Sequence, residues 1–298
     1  MILSYRTMSM PELGARFALR AVVHPQYRVH VVDNSRVIAD DALLKRAAAR
    51  KGHLGRPVVT AVLAGRARIR AFGREQWLEP GDIGLVGNKE EIEIRQEGET
   101  FRSIAFEWEP ETSFGGSVSA SFEVTRLPRL LPHLTIYAER LLALNLSQHE
   151  AADHVHGVLT LLAAEGLPVR AASPTALVAS VSEQEVRLSE ALDLALSNLS
   201  AQPMIVDLDR ALGVSARQLT RLVSAFNARY GFNATNWQDT RTRRRLLIGA
   251  AFMACKGART ELVARRVGYS SPSAFCRALD VAGLPTPQQV SDVVHALA

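Results

Sequence analysis

Two sets of residues in the chain share a type and a spacing. The first is Ser215, Arg217, Gln218, Thr220 and Arg221; the second is Ser271, Ser273, Ala274, Cys276 and Arg277. Both bunch small or polar side chains just after a helix-start signal. Arg presents a rigid fork of donors suited to guanine, Gln pairs a donor with an acceptor as adenine does, and Ser with helix N-terminal amides suits phosphate. The chemistry is recognition of a duplex through its major groove, with no bond made or broken.

Such side chains must stand near the N-terminus of a helix that a second helix holds at a steep angle. In "VDLDRALGVSARQLTRLVSAF", Gly213 can take the left-handed conformation that ends a helix, Ser215 can cap the next, and Gln218 stands at its capping-box position. In "ELVARRVGYSSPSAFCRAL", Gly268 ends a helix, Ser271 caps, and Pro272 sits at the first helical position, where its missing N–H costs nothing. An ordinary interhelical loop is the plainer alternative for each. Leu219, Leu222, Phe226 and Phe275 are the matching inward face, expected to pack in the core. Between the two units, "RTRRR" places Arg241, Arg244 and Arg245 on one helical face, where neutralisation of phosphate is expected.

Charge distribution agrees. The 298-residue chain carries a net +5. From Pro203 to Leu279, 13 Lys and Arg stand against four acids, a local +9 that leaves −4 for the rest. A basic module is joined to a mildly acidic one. The length favours two domains, no apolar run is long enough for a membrane span, and the first residues lack a secretory signal. A cytoplasmic protein without membrane contact is expected. Cys255 and Cys276 are too few for a disulfide framework and have no zinc-site spacing, so both are expected as buried thiols.

From Pro57 to about Glu109 short strand-like runs recur at roughly eight-residue spacing, including "VVTAVLAG", "RARIRAFG", "EIEIRQEGE" and "FRSIAFEWE". They predict an antiparallel barrel or jelly roll. "ADDALLKRAAARKG" before them reads as a short helix. "LPRLLPHLTIYAERLLALNL" and "HEAADHVHGVLTLLAAEG" read as two helices. Their stripes of Leu134, Tyr137, Leu141, Leu142 and Leu144, with Val155, Val158, Leu159 and Leu162, are wide enough to cover the barrel and pair with a second copy. "GLPVRAASPTALVAS" lacks a period and reads as a linker. The class is α+β: a β-barrel half with two helices over 1–165, a linker over 166–181 and an all-α half over 182–298. Each half is expected to fold alone.

The segments "LGVSARQL", "RRRLLIGAAFM" and "VARRVGYSSPSAFCRAL", with Thr286-Pro287, resemble the AraC/XylS family of transcription regulators over about Pro203 to Val290. "LAG" through "LEPGD" is similar to the cupin-like sensory barrel common in that family. The resemblance implies a DNA-binding transcription regulator, an activator, with double-stranded promoter DNA and RNA polymerase as partners, a homodimeric state, and a small effector or protein partner at the N-terminal half. Asp209 on the first unit's supporting helix and a lengthened reading helix depart from the family pattern, so the second unit is expected to set more of the specificity.

A barrel of this type can also house a metal-dependent enzyme, the alternative reading. Its metal needs imidazole and carboxylate ligands converging inside the barrel. No His lies between His53 and His133, and His24 and His30 precede the predicted strands. No Gly-rich phosphate loop or G-x-S-x-G turn occurs either. No catalytic residue, metal or cofactor is therefore expected. For an effector, Phe72, Trp77, Phe106 and Trp108, with Phe101, could line an apolar pocket and Arg68 or Glu107 could anchor a polar group, although a barrel needs such aromatics simply to be filled.

Overall fold

The computed structural model describes residues 1–37, 56–87, 92–143, 145–178, 181–201, 204–232 and 234–290. Its first half is an antiparallel sheet of eight strands: β1 (Ile2–Met10), β2 (Ala15–His24), β3 (Tyr27–Ser35), β4 (Val58–Ala71), β5 (Arg74–Leu78), β6 (Asp82–Val86), β7 (Glu93–Trp108) and β8 (Phe122–Arg126). The hydrogen-bonded path runs β1-β2-β3-β7-β4-β6-β8, with β5 paired to β4. The expected short helix before the barrel falls outside the described residues.

Two differences from the sequence reading have one cause each. Ile2–Ser35, read as a lead-in, is a three-stranded meander, so His24 and His30 lie on strands after all. The runs read as four short strands between 58 and 71 and between 93 and 108 are two long ones. Gly65 and Gly98 have positive φ, +72° and +103°, yet they sit inside strands, where glycine marks a bulge and a bend. The β4–β7 register shifts around Gly65. A Cβ there would collide with the Thr100 carbonyl. The bend lets β4 pair with β6 through its first half and with β5 through its second.

Strand alternation sends side chains three ways. Val58, Val62, Ile69, Leu78, Phe101 and Phe122 fill the bent part of the sheet. Tyr27, Val29, Val31, Phe106 and Trp108 pack under three helices: α1 (Leu131–Leu141), α2 (Gln148–Ala164) and α3 (Pro174–Val178). α2 starts on a full capping box between Ser147 and Glu150. The stripe residues Leu134, Leu141, Val155, Val158, Leu159 and Leu162 are all taken up in this core. Ile136 remains exposed, and Tyr137, Leu142 and Leu161 are half-buried; Leu144 is outside the described residues. The segment read as a linker is also folded down, with Val169, Ala172 and Leu177 buried in the same core.

The second half is helical: α4 (Glu183–Ser197), α5 (Ile205–Leu212), α6 (Ala216–Arg229), α7 (Trp237–Met253), α8 (Thr260–Arg266) and α9 (Pro272–Val281). It does not have a core to itself. Ile2, Met8, Met10, Phe17, Leu19 and Val23 of the β1–β2 face belong to the same apolar cluster as Leu188, Leu192 and Leu196 of α4 and the interiors of α6 and α7. Polar ties follow the seam. Ser189 Oγ donates to the Leu3 carbonyl at 3.0 Å, Tyr5 N to Asp193 Oδ2 at 2.6 Å, Arg28 Nη2 to the Tyr230 carbonyl at 2.7 Å, and Arg266 Nη2 to the Ser9 carbonyl at 2.9 Å.

This shared core ties together two halves that the sequence reading had folding independently. Fully burying a Phe, Leu or Met side chain stabilises by roughly 1.5 to 3 kcal/mol, and Met8, Phe17 and Leu19 all contribute. A fragment starting at Ser182 is therefore expected to unfold at lower urea than the full chain, or to precipitate. Equal midpoints by circular dichroism would refute the shared core.

Candidate nucleic-acid interface

In the first unit α5 ends at Gly213, whose φ of +66° lets its N–H reach back to the Asp209 carbonyl. Ser215 then caps α6: its Oγ accepts from Gln218 N at 3.3 Å, and Gln218 Oε1 accepts from Ser215 N at 3.0 Å. Leu219, Val223 and Phe226 are buried and Leu222 is half-buried, as the inward face requires. Ser215, Arg217, Gln218, Thr220 and Arg221 are all exposed. Two of them have local duties. Gln218 spends its acceptor on the cap, and Thr220 Oγ1 donates to the Ala216 carbonyl at 2.9 Å. Arg217 and Arg221 project from the helix, four residues apart and so on one face.

In the second unit α8 ends before Gly268, φ +84°. Ser271 Oγ accepts from Ala274 N at 3.1 Å and Pro272 opens α9. Phe275 and Leu279 are buried; Ser273 and Arg277 are exposed, and Ser271, Ala274 and Cys276 are half-buried. The ring of Phe275 lies against Gly249 of α7, where a Cβ would stand 2.8 Å from it. A residue without a side chain at that point of α7 is what lets the second reading helix seat. Sequence reading passed over Gly249, because a glycine inside a helix gives no local signal of what crosses it.

The arginine cluster divides. Arg241 is half-buried, and its Nη2 donates to Gln238 Oε1 at 2.7 Å. Arg244 and Arg245, expected on the surface as phosphate contacts, are only 6% and 8% exposed. Arg245 Nε donates to the Val267 carbonyl at 2.5 Å and its guanidinium lies 4.5 Å from the centre of the Tyr269 ring. It braces the turn of the second unit. Arg244 faces the seam, where Asp193 of α4 is 3.5 Å away. Burial pushes both guanidinium groups down from their ordinary pKa, with Asp193 opposing this at Arg244 and Tyr269 opposing it at Arg245. A three-arginine stripe cannot be read as solvated when α7 is buried along most of its length from Arg244 onward.

The residues expected around an effector do not converge. Phe106 and Trp108 stack with ring centres 5.6 Å apart inside the core beneath α1–α3. Trp77 is 43% exposed on the outer face of β5, flanked by Arg66 and Arg68, and Arg68 pairs with Glu75 at 3.4 Å. Phe72, at φ +49°, makes the turn from β4 to β5, and Phe101 packs in the bent part of the sheet. Glu107 is buried on β7, with Oε1 2.8 Å from His30 Nε2. Cys255 is buried and Cys276 half-buried, both free. Among the described residues no helix is long and apolar enough to cross a membrane.

No protein-family model and no curated protein matches the chain. Among solved structures, several are similar at low identity and low TM-score. ToxT from Vibrio cholerae O395 is 9% identical, with 92% of this chain and 99% of that one covered and a TM-score of 0.37. An unsaturated fatty acid bound form of ToxT from Vibrio cholerae is 10% identical over 92% and 96% of the two chains, at a TM-score of 0.35. The AraC-like transcriptional activator CuxR is 13% identical over 83% and 86%, at a TM-score of 0.28.

Proposed function

We propose that the chain is a sequence-specific, DNA-binding transcription regulator of the AraC/XylS type, and not an enzyme. One observation carries this reading: two helix-turn-helix units, each turning on a left-handed glycine and each with a side-chain-capped reading helix, flank the single buried helix α7. The outward side chains Arg217, Arg221 and Arg277 are exposed and carry no acidic partner among the ion pairs of the described residues. Promoter DNA is the ligand of this face, RNA polymerase the downstream partner, and activation the mode. A homodimer would use the solvent side of α1 around the exposed Ile136, and sedimentation velocity reads the dimer directly.

Selection of bound sequences from random duplex DNA by the full chain tests the reading, and enrichment of one motif spanning two adjacent major-groove segments is expected. Arg217→Ala, Arg221→Ala and Arg277→Ala should each reduce the slope of log affinity against log salt by roughly 0.9 if the side chain meets phosphate. One that meets a base instead costs about 1 to 3 kcal/mol of discrimination at one position. No enriched motif, together with three unchanged slopes, would sink the reading.

A further inference from the structure

The two reading helices seat on α7 by different means. In the second unit the ring of Phe275 fills the notch left by Gly249. In the first, the buried face of α6 is Leu219, Val223, Phe226 and Asn227, where α9 buries only Phe275 and Leu279. Asn227, 2% exposed, is the one polar residue among these six. Its Nδ2 donates to Thr240 Oγ1 at 3.1 Å, and that hydroxyl donates in turn to the Asn236 carbonyl at 2.9 Å. Asn236 is the cap of α7, with Oδ1 accepting from Asp239 N at 3.0 Å. A chain of hydrogen bonds thus leads from the interior of α6 to the start of α7.

The clamp lies in an extra turn. α6 has 14 residues against 10 in α9, and Asn227 stands beyond the length that α9 reaches. Apolar contact alone tolerates rotation and repacking. A buried polar pair does not slide, because a donor moved off its acceptor in low dielectric costs more than the bond itself contributes. The same end of α6 is tied to the sheet by Arg28 Nη2, which donates to the Tyr230 carbonyl at 2.7 Å. The reading side chains stand at the other end. Arg217 precedes Asn227 by ten residues, roughly 15 Å of helix. A tilt of about 10° at the clamp therefore moves the reading end by roughly 2.5 Å, where a recognition contact tolerates about 0.5 Å.

We infer that Asn227 is a positioning residue: through Thr240 it fixes the angle at which α6 presents Arg217 and Arg221, and so sets the sequence selectivity of the first unit. The lengthened helix then carries selectivity instead of diluting it. That selectivity rests on the function proposed above; the angle does not.

Two measurements on the full-length protein test this, the first without DNA. Spin labels at Arg217→Cys and Arg265→Cys, in a chain that also carries Cys255→Ala and Cys276→Ala, report the distance from α6 to α8. Adding Asn227→Leu should broaden that distance distribution or shift it by roughly 2 Å or more. The change removes the donor without stranding Thr240, which keeps its bond to the Asn236 carbonyl, so the urea midpoint should be held or raised. In the second measurement the probe is the duplex that the parent chain enriches from random DNA, with each half-site scrambled in turn. Asn227→Leu and Thr240→Val should each lose about tenfold in discrimination at the half-site that Arg217→Ala affects, and keep it at the other. Thr240→Ser retains the hydroxyl and should keep both, a rescue that lost packing does not produce. The inference is overturned if the label distances of Asn227→Leu match the parent's, if the two half-sites lose discrimination alike, if Thr240→Val discriminates as the parent does, or if Thr240→Ser loses as much as Thr240→Val. Should the parent enrich no motif, the DNA-binding reading fails, and the labels still decide the angle.

Discussion

Gly268→Ala is expected to destabilise the protein by roughly 2 to 5 kcal/mol, while the chemically identical change Gly213→Ala costs only about 1 to 2. Both glycines turn a helix-turn-helix unit with φ near the left-handed region, +84° and +66°. Both therefore suffer the backbone penalty that an L side chain meets there. They differ in what surrounds them. A Cβ on Gly213 meets nothing within 4 Å. A Cβ on Gly268 collides with the Leu199 carbonyl and stands 2.5 Å from Nη2 of Arg245. The carbonyl cannot swing aside as a side-chain tip would, so α8 must move off the segment that follows α4. The second unit then loses its seat, and because the helical half shares its core with β1 and β2, the loss should appear in the global urea transition. Equal costs at the two glycines would show that Gly268 is a turn and nothing more.

The pair also shows what the sequence could and could not reveal. Both glycines, both capping serines and Pro272 were legible because their signals are local: a cap bonds within three residues, and a left-handed turn is set by one φ. The caps that the structure shows at Ser147 and Ser182 rest on bonds just as local. Long-range facts were not legible. Gly65 and Gly98 carry the same residue type as a turn, and only the partner strand decides whether such a glycine ends a strand or bends it. The meander Ile2–Ser35 was missed because its middle strand, β2, is buried along nearly its whole length. The alternation that marks a half-exposed strand is therefore weak there. Aromatic composition says that a barrel will be filled, and Phe101, Phe106 and Trp108 do fill it, but composition does not say where along the fold those rings meet.

The arginines of α7 bring these two kinds of information into conflict, and Arg245→Ala is where the conflict becomes measurable. A basic run between two DNA-reading units invites the expectation of phosphate contacts, and removing a phosphate contact lowers affinity, reduces the salt slope by roughly 0.9 and leaves stability nearly unchanged. The structure assigns Arg245 the opposite profile. Its Nε satisfies the Val267 carbonyl at the C-terminal end of α8, and its plane covers Tyr269. A hydrogen bond to a charged donor contributes about 1.5 to 3 kcal/mol, and a desolvated cation–π contact about 1 to 2. Relief of the buried charge, which already pushes its pKa down, offsets part of that sum. A net loss of about 2 to 3 kcal/mol remains. Lysine is no substitute, because an ammonium cannot donate to the carbonyl and stack on the ring together. Arg245→Ala and Arg245→Lys should therefore both lower the urea midpoint, and at temperatures where the variants are folded both should bind DNA with the parental salt slope. In Arg221→Ala the two readouts should exchange, with stability kept and slope reduced. A reduced slope for Arg245→Ala at unchanged stability would put this side chain back on the DNA face, and α7 would have to be exposed there.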